Sequence, residues 1–191
     1  MCHINIRSEW ISVDKIKIAL ESFKSNRSPG SDGIQPVIFK RLPTNVLEYL
    51  RVIFVCCIHF RYTPKSWKKS MVIFIPKPGK SSYKSPKSFR PILLSNYFLK
   101  CLEKLVVWKM DEALIEKPIH KKQHGFLTKK STESALSNTV NYLDKYAMQR
   151  KTALGVFLDI IAAFDSIQPK HIRDQLLIHG GDEDGVEWYY N

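Results

Sequence analysis

The sequence is poor in acidic residues relative to basic ones. It has 18 Asp and Glu against 30 Lys and Arg, which gives a net charge of +12 at pH 7. A protein this basic typically binds a polyanion, either nucleic acid or an acidic membrane surface. A well-solvated surface would carry the same charge, so composition alone leaves that alternative open. The middle of the chain holds the densest basic cluster, which consists of Lys65, Lys68, Lys69, Lys77, Lys80, Lys84, Lys87 and Arg90.

The sequence also lacks the features of exported, zinc-binding or membrane proteins. Its cysteines form no CxxC pair, and the adjacent Cys56 and Cys57 suit neither a zinc knuckle nor a disulfide. His120 and His124 have i,i+4 spacing, but no Glu follows His120, which argues against a zinc site. The N-terminal segment has no apolar signal region, and the longest apolar run, residues 52–58, is too short to span a bilayer. We therefore expect an intracellular protein, nuclear or cytoplasmic, without a membrane segment.

Apolar periodicity predicts helices along most of the chain. Helical spacing covers residues 13–24, 96–116 and 131–147, and residues 35–60 form one or two helices interrupted at Pro43. The last part of that range is apolar nearly all round, which predicts a buried helix. A further helix is predicted over residues 163–178, and Gly180 and Gly181 end it.

Two apolar runs predict strands. Residues 71–75 are β-branched or aromatic and are bounded by Pro76, after which a basic loop or hairpin leads to Pro91. Residues 153–160 form the clearest strand, which is almost wholly apolar and carries a single carboxylate, Asp159. A helix-rich chain with a few strands predicts the α+β class.

The carboxylate at the end of this second run needs an explanation. Burying an unpaired charge is costly, so Asp159 should accept hydrogen bonds or bind a cation. Nucleotide polymerases use a carboxylate at a strand end to hold Mg²⁺, which stabilises the charge that develops when the α-phosphate is attacked. Capping of the next helix is the alternative explanation, and the bare pattern leaves both open.

The segment FLDIIAAFD, residues 157–165, resembles the first catalytic motif of non-LTR retrotransposon reverse transcriptases, roughly F-x-D followed by A-F-D. The resemblance implies that Asp159 is the first metal-binding aspartate. It also implies that Phe164 is the aromatic gate that excludes a ribose 2′-hydroxyl. Asp165 belongs to the motif with a less defined, structural role. Ala162 departs from the pattern, since the family often has Gly or Lys there.

Five further blocks resemble the same family, in the family's order, and extend the resemblance from about residue 28 to the end. The blocks are SPGSDGI at 28–34, WK at 67–68 with VIFIPKPGK at 72–80, FRPI with Leu94 at 89–94, KCLEK at 100–104, and QHGF at 123–126 with STE at 131–133. Each block is weak evidence by itself, but their common order makes the set specific.

The resemblance implies a set of ligands and residue roles. Arg90 and Lys77 would contact the triphosphate of an incoming deoxynucleoside triphosphate, for which the planar guanidinium of Arg is well suited. Gln123 and Gly125 would lie on the template side, and other lysines would follow the backbone of the nucleic acid. The implied partners are an RNA template and a DNA primer, and the implied cofactor is Mg²⁺.

The resemblance also implies the architecture. Residues 67–191 would be the fingers and first part of the palm of a right-hand polymerase, preceded by a helical extension of the fingers at residues 1–66. The second carboxylate motif, an A-D-D hairpin, and the thumb have no counterpart in the sequence. We therefore expect a reverse transcriptase fragment that does not polymerise alone. The alternatives are a non-catalytic nucleic-acid-binding remnant of a decayed retrotransposon and a poorly folded product of one.

Overall fold

The structure is a computed structural model that describes residues 9–114, 120–127, 129–161 and 163–190. The chain divides into two compact units, the first built from residues up to Leu114 and from Pro169 onward, the second within Ile115–Gln168. The elements are α1 Val13–Glu21, α2 Pro36–Phe39, α3 Thr44–His59, α4 Lys65–Lys68, β1 Met71–Pro76, a 3-10 turn at Pro86–Ser88, β2 Phe89–Leu94, α5 Tyr97–Leu114, α6 Thr132–Met148, α7 Ala163–Ser166, α8 Pro169–Ile178 and α9 Glu183–Tyr190.

The core of the first unit lies between helices that are distant in sequence. α1 packs against α3 and α5, and α9 packs against both α3 and α5. Phe54 of α3, Leu102 of α5 and Val186 of α9 are fully buried in this cluster. The expectation that α3 is buried all round is wrong for one side, because Tyr49 and Val52 are exposed to solvent.

β1 and β2 form an antiparallel hairpin in which Ile73 lies opposite Ile92 and Ile75 opposite Arg90. The predicted strand at residues 71–75 is therefore confirmed, and so is the hairpin that follows it. Side chains on both faces of the hairpin are exposed, including Phe74 on one face and Ile73 on the other.

Turn-forming residues end the helices where the sequence predicts. Pro43 separates α2 from α3, and Gly180, with φ +84°, follows the end of α8. The single helix predicted over residues 163–178 is instead two helices, α7 and α8, with the break directly before Pro169. A proline disfavours helical backbone at the residue before it, which explains the break.

In the second unit, α6 begins with a capping box. The Ser131 hydroxyl accepts a hydrogen bond from the Ser134 N–H, and the Ser134 hydroxyl accepts one from the Ser131 N–H. These bonds satisfy backbone donors of the first turn, so the predicted helix start is confirmed. The apolar stripe of the helix is exposed, as at Leu136 and Val140.

The strand predicted at residues 153–160 is wrong. Residues 151–160 form no regular secondary structure, and Phe157 and Leu158 are 93% and 91% exposed. A strand needs a neighbour to receive its backbone hydrogen bonds. Within the described ranges the β1–β2 hairpin is the only sheet, and it does not include this run. Among the same residues, no helix combines the length and apolarity needed to cross a membrane.

Candidate functional site

The β1–β2 hairpin brings two of the predicted site residues to one end. Arg90 lies on β2 opposite Ile75, and its side chain is exposed. Lys77 directly follows β1, and its N–H donates to the Ser88 carbonyl at 2.8 Å, which continues the ladder by one pair. The predicted triphosphate contacts therefore lie near one another in the ladder, Arg90 on β2 and Lys77 directly after β1.

The loop between the two strands is closed by its own hydrogen bonds. The Lys77 ammonium donates to the Lys87 carbonyl at 2.9 Å, and the Tyr83 hydroxyl donates to the Lys77 carbonyl at 2.8 Å. The Ser88 hydroxyl donates to the Ser82 carbonyl at 2.7 Å. Lys77 is thus partly engaged in holding the loop. Arg90, in contrast, makes no ion pair with any residue that the structure describes.

The charge of this loop has one sign. Residues 77–90 contain no acidic residue and carry four lysines and one arginine: Lys77, Lys80, Lys84, Lys87 and Arg90. Closely spaced like charges repel one another, and an anion bound among them relieves that repulsion. A polyphosphate is the kind of ligand that this end of the hairpin fits.

Asp159, the predicted metal ligand, lies in the second unit within the exposed irregular run. Phe164 and Asp165 belong to α7, and their side chains lie outside the described atoms. Within the described ranges, no group of three His, Cys, Asp or Glu side chains is placed to hold a metal ion.

Three other carboxylates near the end of the chain have structural partners. Asp174 pairs with Arg173 at 3.1 Å, and Asp184 lies 3.9 Å from Arg61. Asp182 accepts a hydrogen bond from the Gly185 N–H at 3.0 Å, which caps the start of α9. Each of these three carboxylates therefore has a partner within the described protein.

Gln123 and Gly125, the predicted template-side residues, form a turn in the second unit. The Gln123 side chain donates to the Gly125 carbonyl at 3.3 Å. Between them, His124 places Nδ1 2.7 Å from the Ser134 hydroxyl and Nε2 3.2 Å from the Asn138 amide, so α6 holds the turn.

An open cavity of about 480 Å³ lies beside this turn, lined by Lys122, His124, Ala135, Asn138, Thr139 and Tyr142. Neither the His120–His124 spacing, which argues against a zinc site, nor the QHGF block predicts these contacts. The sequence signal for a shared contact is the i,i+4 spacing of Ser134 and Asn138, which places both on one face of a helix.

The predicted site residues therefore fall into two sets. Lys77 and Arg90 come together in the first unit, and Gln123, Gly125 and Asp159 belong to the second.

Comparisons with known proteins find one family and several relatives for this chain. A family model described as reverse transcriptase (RNA-dependent DNA polymerase) matches residues 75–181, a range that begins just before Lys77 and includes Asp159. A probable RNA-directed DNA polymerase from transposon BS of Drosophila melanogaster is 30% identical over 160 residues, 82% of this chain and 17% of that protein. One from transposon X-element of the same species is 32% identical over 157 residues, 81% of this chain and 17% of that protein. The RNA-directed DNA polymerase from mobile element jockey, also from D. melanogaster, is 29% identical over 158 residues, again 82% and 17%. The chain thus spans less than a fifth of the length of these relatives.

Proposed function

Because this chain belongs to the reverse transcriptase family, with relatives among non-LTR retrotransposons, we propose that it is part of an RNA-directed DNA polymerase and binds the incoming deoxynucleoside triphosphate through the β1–β2 hairpin. The observation that carries the proposal is the exposed guanidinium of Arg90, which makes no ion pair with the described residues. It lies on β2 near Lys77, at the end of a hairpin whose loop has no acidic residue.

The two cations have different roles in the proposal. The Arg90 guanidinium presents parallel N–H donors that match two phosphate oxygens. Lys77 supplies a point charge and, through its bond to the Lys87 carbonyl, holds the loop closed. Together they offset the negative charge of a triphosphate and orient it without forming a covalent bond.

The remaining roles come from the family motif. We assign Phe164 the exclusion of a ribose 2′-hydroxyl, and Gln123 and Gly125 contact with the RNA template. Residues 67–191 are assigned to the fingers and first part of the palm, and residues 1–66 to a helical extension. The primer would be DNA, as in template-directed transfer of deoxynucleotides.

Asp159 is assigned to Mg²⁺, but the described residues do not by themselves fit that ion. Mg²⁺ takes oxygen ligands in near-octahedral geometry, usually from one or two carboxylates together with substrate phosphates and water. The described side chains bring no group of three candidate ligands together, and Asp159 lies on an exposed irregular run. When bound, the metal would supply stabilisation of the charge that develops on the phosphate.

Binding of inorganic tripolyphosphate to the purified chain, measured by isothermal titration calorimetry, tests the hairpin assignment. Arg90→Ala is expected to weaken binding by about tenfold to a hundredfold, the effect of losing hydrogen bonds to a charged group. Arg90→Lys should recover only part of that loss, because an ammonium cannot bind bidentately. The matched control is Arg41→Ala, which removes an exposed arginine outside the hairpin. Equal losses in the Arg41 and Arg90 variants would contradict the assignment.

Primer extension tests the catalytic part. On an RNA template with a DNA primer, deoxynucleotides and Mg²⁺, we expect no extension by this chain and extension by a full-length relative. Extension by the chain alone would contradict the expectation. RNA binding without tripolyphosphate binding would instead favour a non-catalytic nucleic-acid-binding role.

A further inference from the structure

The loop of residues 28–34, the SPGSDGI block, is tied to the junction between β2 and α5. The Asp32 carboxylate accepts a hydrogen bond from the Ile34 N–H at 3.0 Å with one oxygen and from the Asn96 side-chain amide with the other. Asn96 is only 4% exposed, and its side-chain oxygen accepts the Phe98 N–H at 2.8 Å. Asn96 therefore links the loop to the first turn of α5. Because Asn96 is buried, water has little access to replace it as the partner of Asp32.

Further contacts hold the same loop against both strands of the hairpin. The Ser31 hydroxyl donates to the carbonyl of Lys69, two residues before β1, at 2.8 Å. Gly30 packs against the residue that follows β2, since a Cβ there would lie 2.8 Å from the Ser95 carbonyl oxygen. The Tyr97 hydroxyl donates to the Ser28 carbonyl at 3.2 Å. We call these contacts, together with the Asp32–Asn96 bond, the 28–34 clasp.

The clasp acts at the open end of the hairpin, where Met71 pairs with Leu94. Arg90 and Lys77 lie toward the other end, near the Pro76–Phe89 pair. Because both faces of the hairpin are largely exposed, the tilt of the two strands depends on how their open end is fixed. A rotation at the open end displaces the far end of the hairpin, where the two cations lie.

We propose that Asp32 is a positioning residue, which fixes the hairpin through Asn96 and so sets where Arg90 and Lys77 meet the triphosphate. The inference rests on the proposed function for its nucleotide part and on geometry alone for its structural part. The SPGSDGI block lies outside residues 75–181, the range that the family model matches. Asp32 gives this block a role in placing the hairpin.

An attraction between Asp32 and Lys100 is the competing explanation for the carboxylate. Burial lowers the pKa of Lys100, and the nearby carboxylates of Glu103 and Asp32 raise it. The Lys100 ammonium, however, lies 4.4 Å from the centre of the Tyr97 ring and makes no ion pair within 4.0 Å among the described residues. If the attraction alone mattered, Asp32→Asn and Lys100→Met would change hairpin hydrogen exchange equally. Substitution of Asn96 would then leave that exchange unchanged.

Lys100→Met separates these explanations, because only the attraction predicts faster hairpin exchange for this variant. A residue swap then tests the hydrogen bonds between positions 32 and 96. Asp32→Asn leaves two amides facing each other, and Asn96→Asp leaves two carboxylates facing each other. The double variant, Asp32→Asn with Asn96→Asp, restores every bond. Its amide can accept from the Ile34 N–H and donate to its carboxylate, which accepts from the Phe98 N–H. Asp111→Asn, at an exposed position of α5, is the matched control for loss of one carboxylate.

Amide hydrogen exchange of residues 71–94, followed by mass spectrometry, is the first readout, and tripolyphosphate affinity is the second. The hairpin amides of Asp32→Asn and of Asn96→Asp should exchange about threefold to tenfold faster than those of the unsubstituted chain. Both variants should bind tripolyphosphate more weakly by a similar factor, and the swap should restore both properties. The Asp111 variant should match the unsubstituted chain.

A swap that behaves no better than the single variants would overturn the proposal, as would single variants that leave hairpin exchange unchanged. Restored exchange in a chain that binds no tripolyphosphate would confirm the clasp and refute the nucleotide role of the hairpin. Failure of the clasp and failure of the proposed nucleotide binding therefore give different results.

Discussion

Burial separates the three described cysteines by their expected reactivity. Burial raises the pKa of Cys101 to about 12 and the pKa of Cys57 to about 11, while Cys56 is only half-buried. The thiolate is the nucleophile, so a raised pKa means that these thiols react only as the pH approaches those values or when the chain unfolds. At pH 8 we expect iodoacetamide to label Cys56 well before Cys57 and Cys101, as measured by peptide mass spectrometry.

The same labelling in urea is the control for the cysteine prediction, because all three thiols are then exposed. Labelling of Cys101 in the native chain at its rate in urea would contradict its burial at 0% exposure.

At the residue scale, sequence patterns do not show which side chains meet. Asp32 belongs to the SPGSDGI block, and its partner Asn96 lies 64 positions away. Gly33 has φ +70°, a left-handed backbone conformation that favours glycine, whereas Gly30 is required by the close approach of Ser95. Such contacts between distant segments depend on the tertiary packing, which local patterns do not encode.

Helices α5 and α6 have similar apolar periodicity but opposite environments. Leu102 of α5 is 0% exposed, and Leu136 of α6 is 64% exposed. Leu102→Ala should therefore lower the free energy of unfolding by about 2–5 kcal/mol, since it leaves a cavity in the core. Leu136→Ala should change it by no more than about 0.5 kcal/mol. Urea denaturation followed by circular dichroism measures both, and equal losses would contradict the difference in burial.

At the scale of elements, helices were predicted better than strands. A helix satisfies its own backbone hydrogen bonds, so periodicity and capping residues suffice to predict α1, α3, α5 and α6. A strand needs a partner, and residues 71–75 find one in β2 through the intervening turn. Residues 153–160 have the stronger strand composition, yet no described strand lies beside them. The composition of a segment shows that it can form a strand, but it does not show whether a partner strand is present.

The first unit depends on α9 for its core, although α9 lies beyond the second unit in sequence. Val186 and Trp188 are buried in the cluster with α3 and α5, whereas Tyr189 and Tyr190 are exposed. Replacing Val186 and Trp188 together by Ala should lower the melting temperature sharply, because truncating a buried Trp alone costs about 3–5 kcal/mol. The matched control, Tyr189 and Tyr190 both to Ala, should have a much smaller effect.

Thermal unfolding with a dye that binds exposed apolar surface follows this whole-molecule prediction. Equal melting temperatures in the two double variants would contradict the burial of α9. Local sequence patterns give no signal for this packing, because the core partners of α9 lie in α3 and α5, far earlier in the chain.

The placement of α9 has a consequence for synthesis on the ribosome. Residues up to Leu114 emerge first, but their core stays incomplete until α9 has followed them out. The entropic cost of closing the intervening segment rises only by about 0.6 kcal/mol for each doubling of its length. Insertions between Ile115 and Gln168 would therefore weaken the finished core little. They would instead lengthen the interval during which Phe54 and Leu102 remain uncovered and accessible to chaperones.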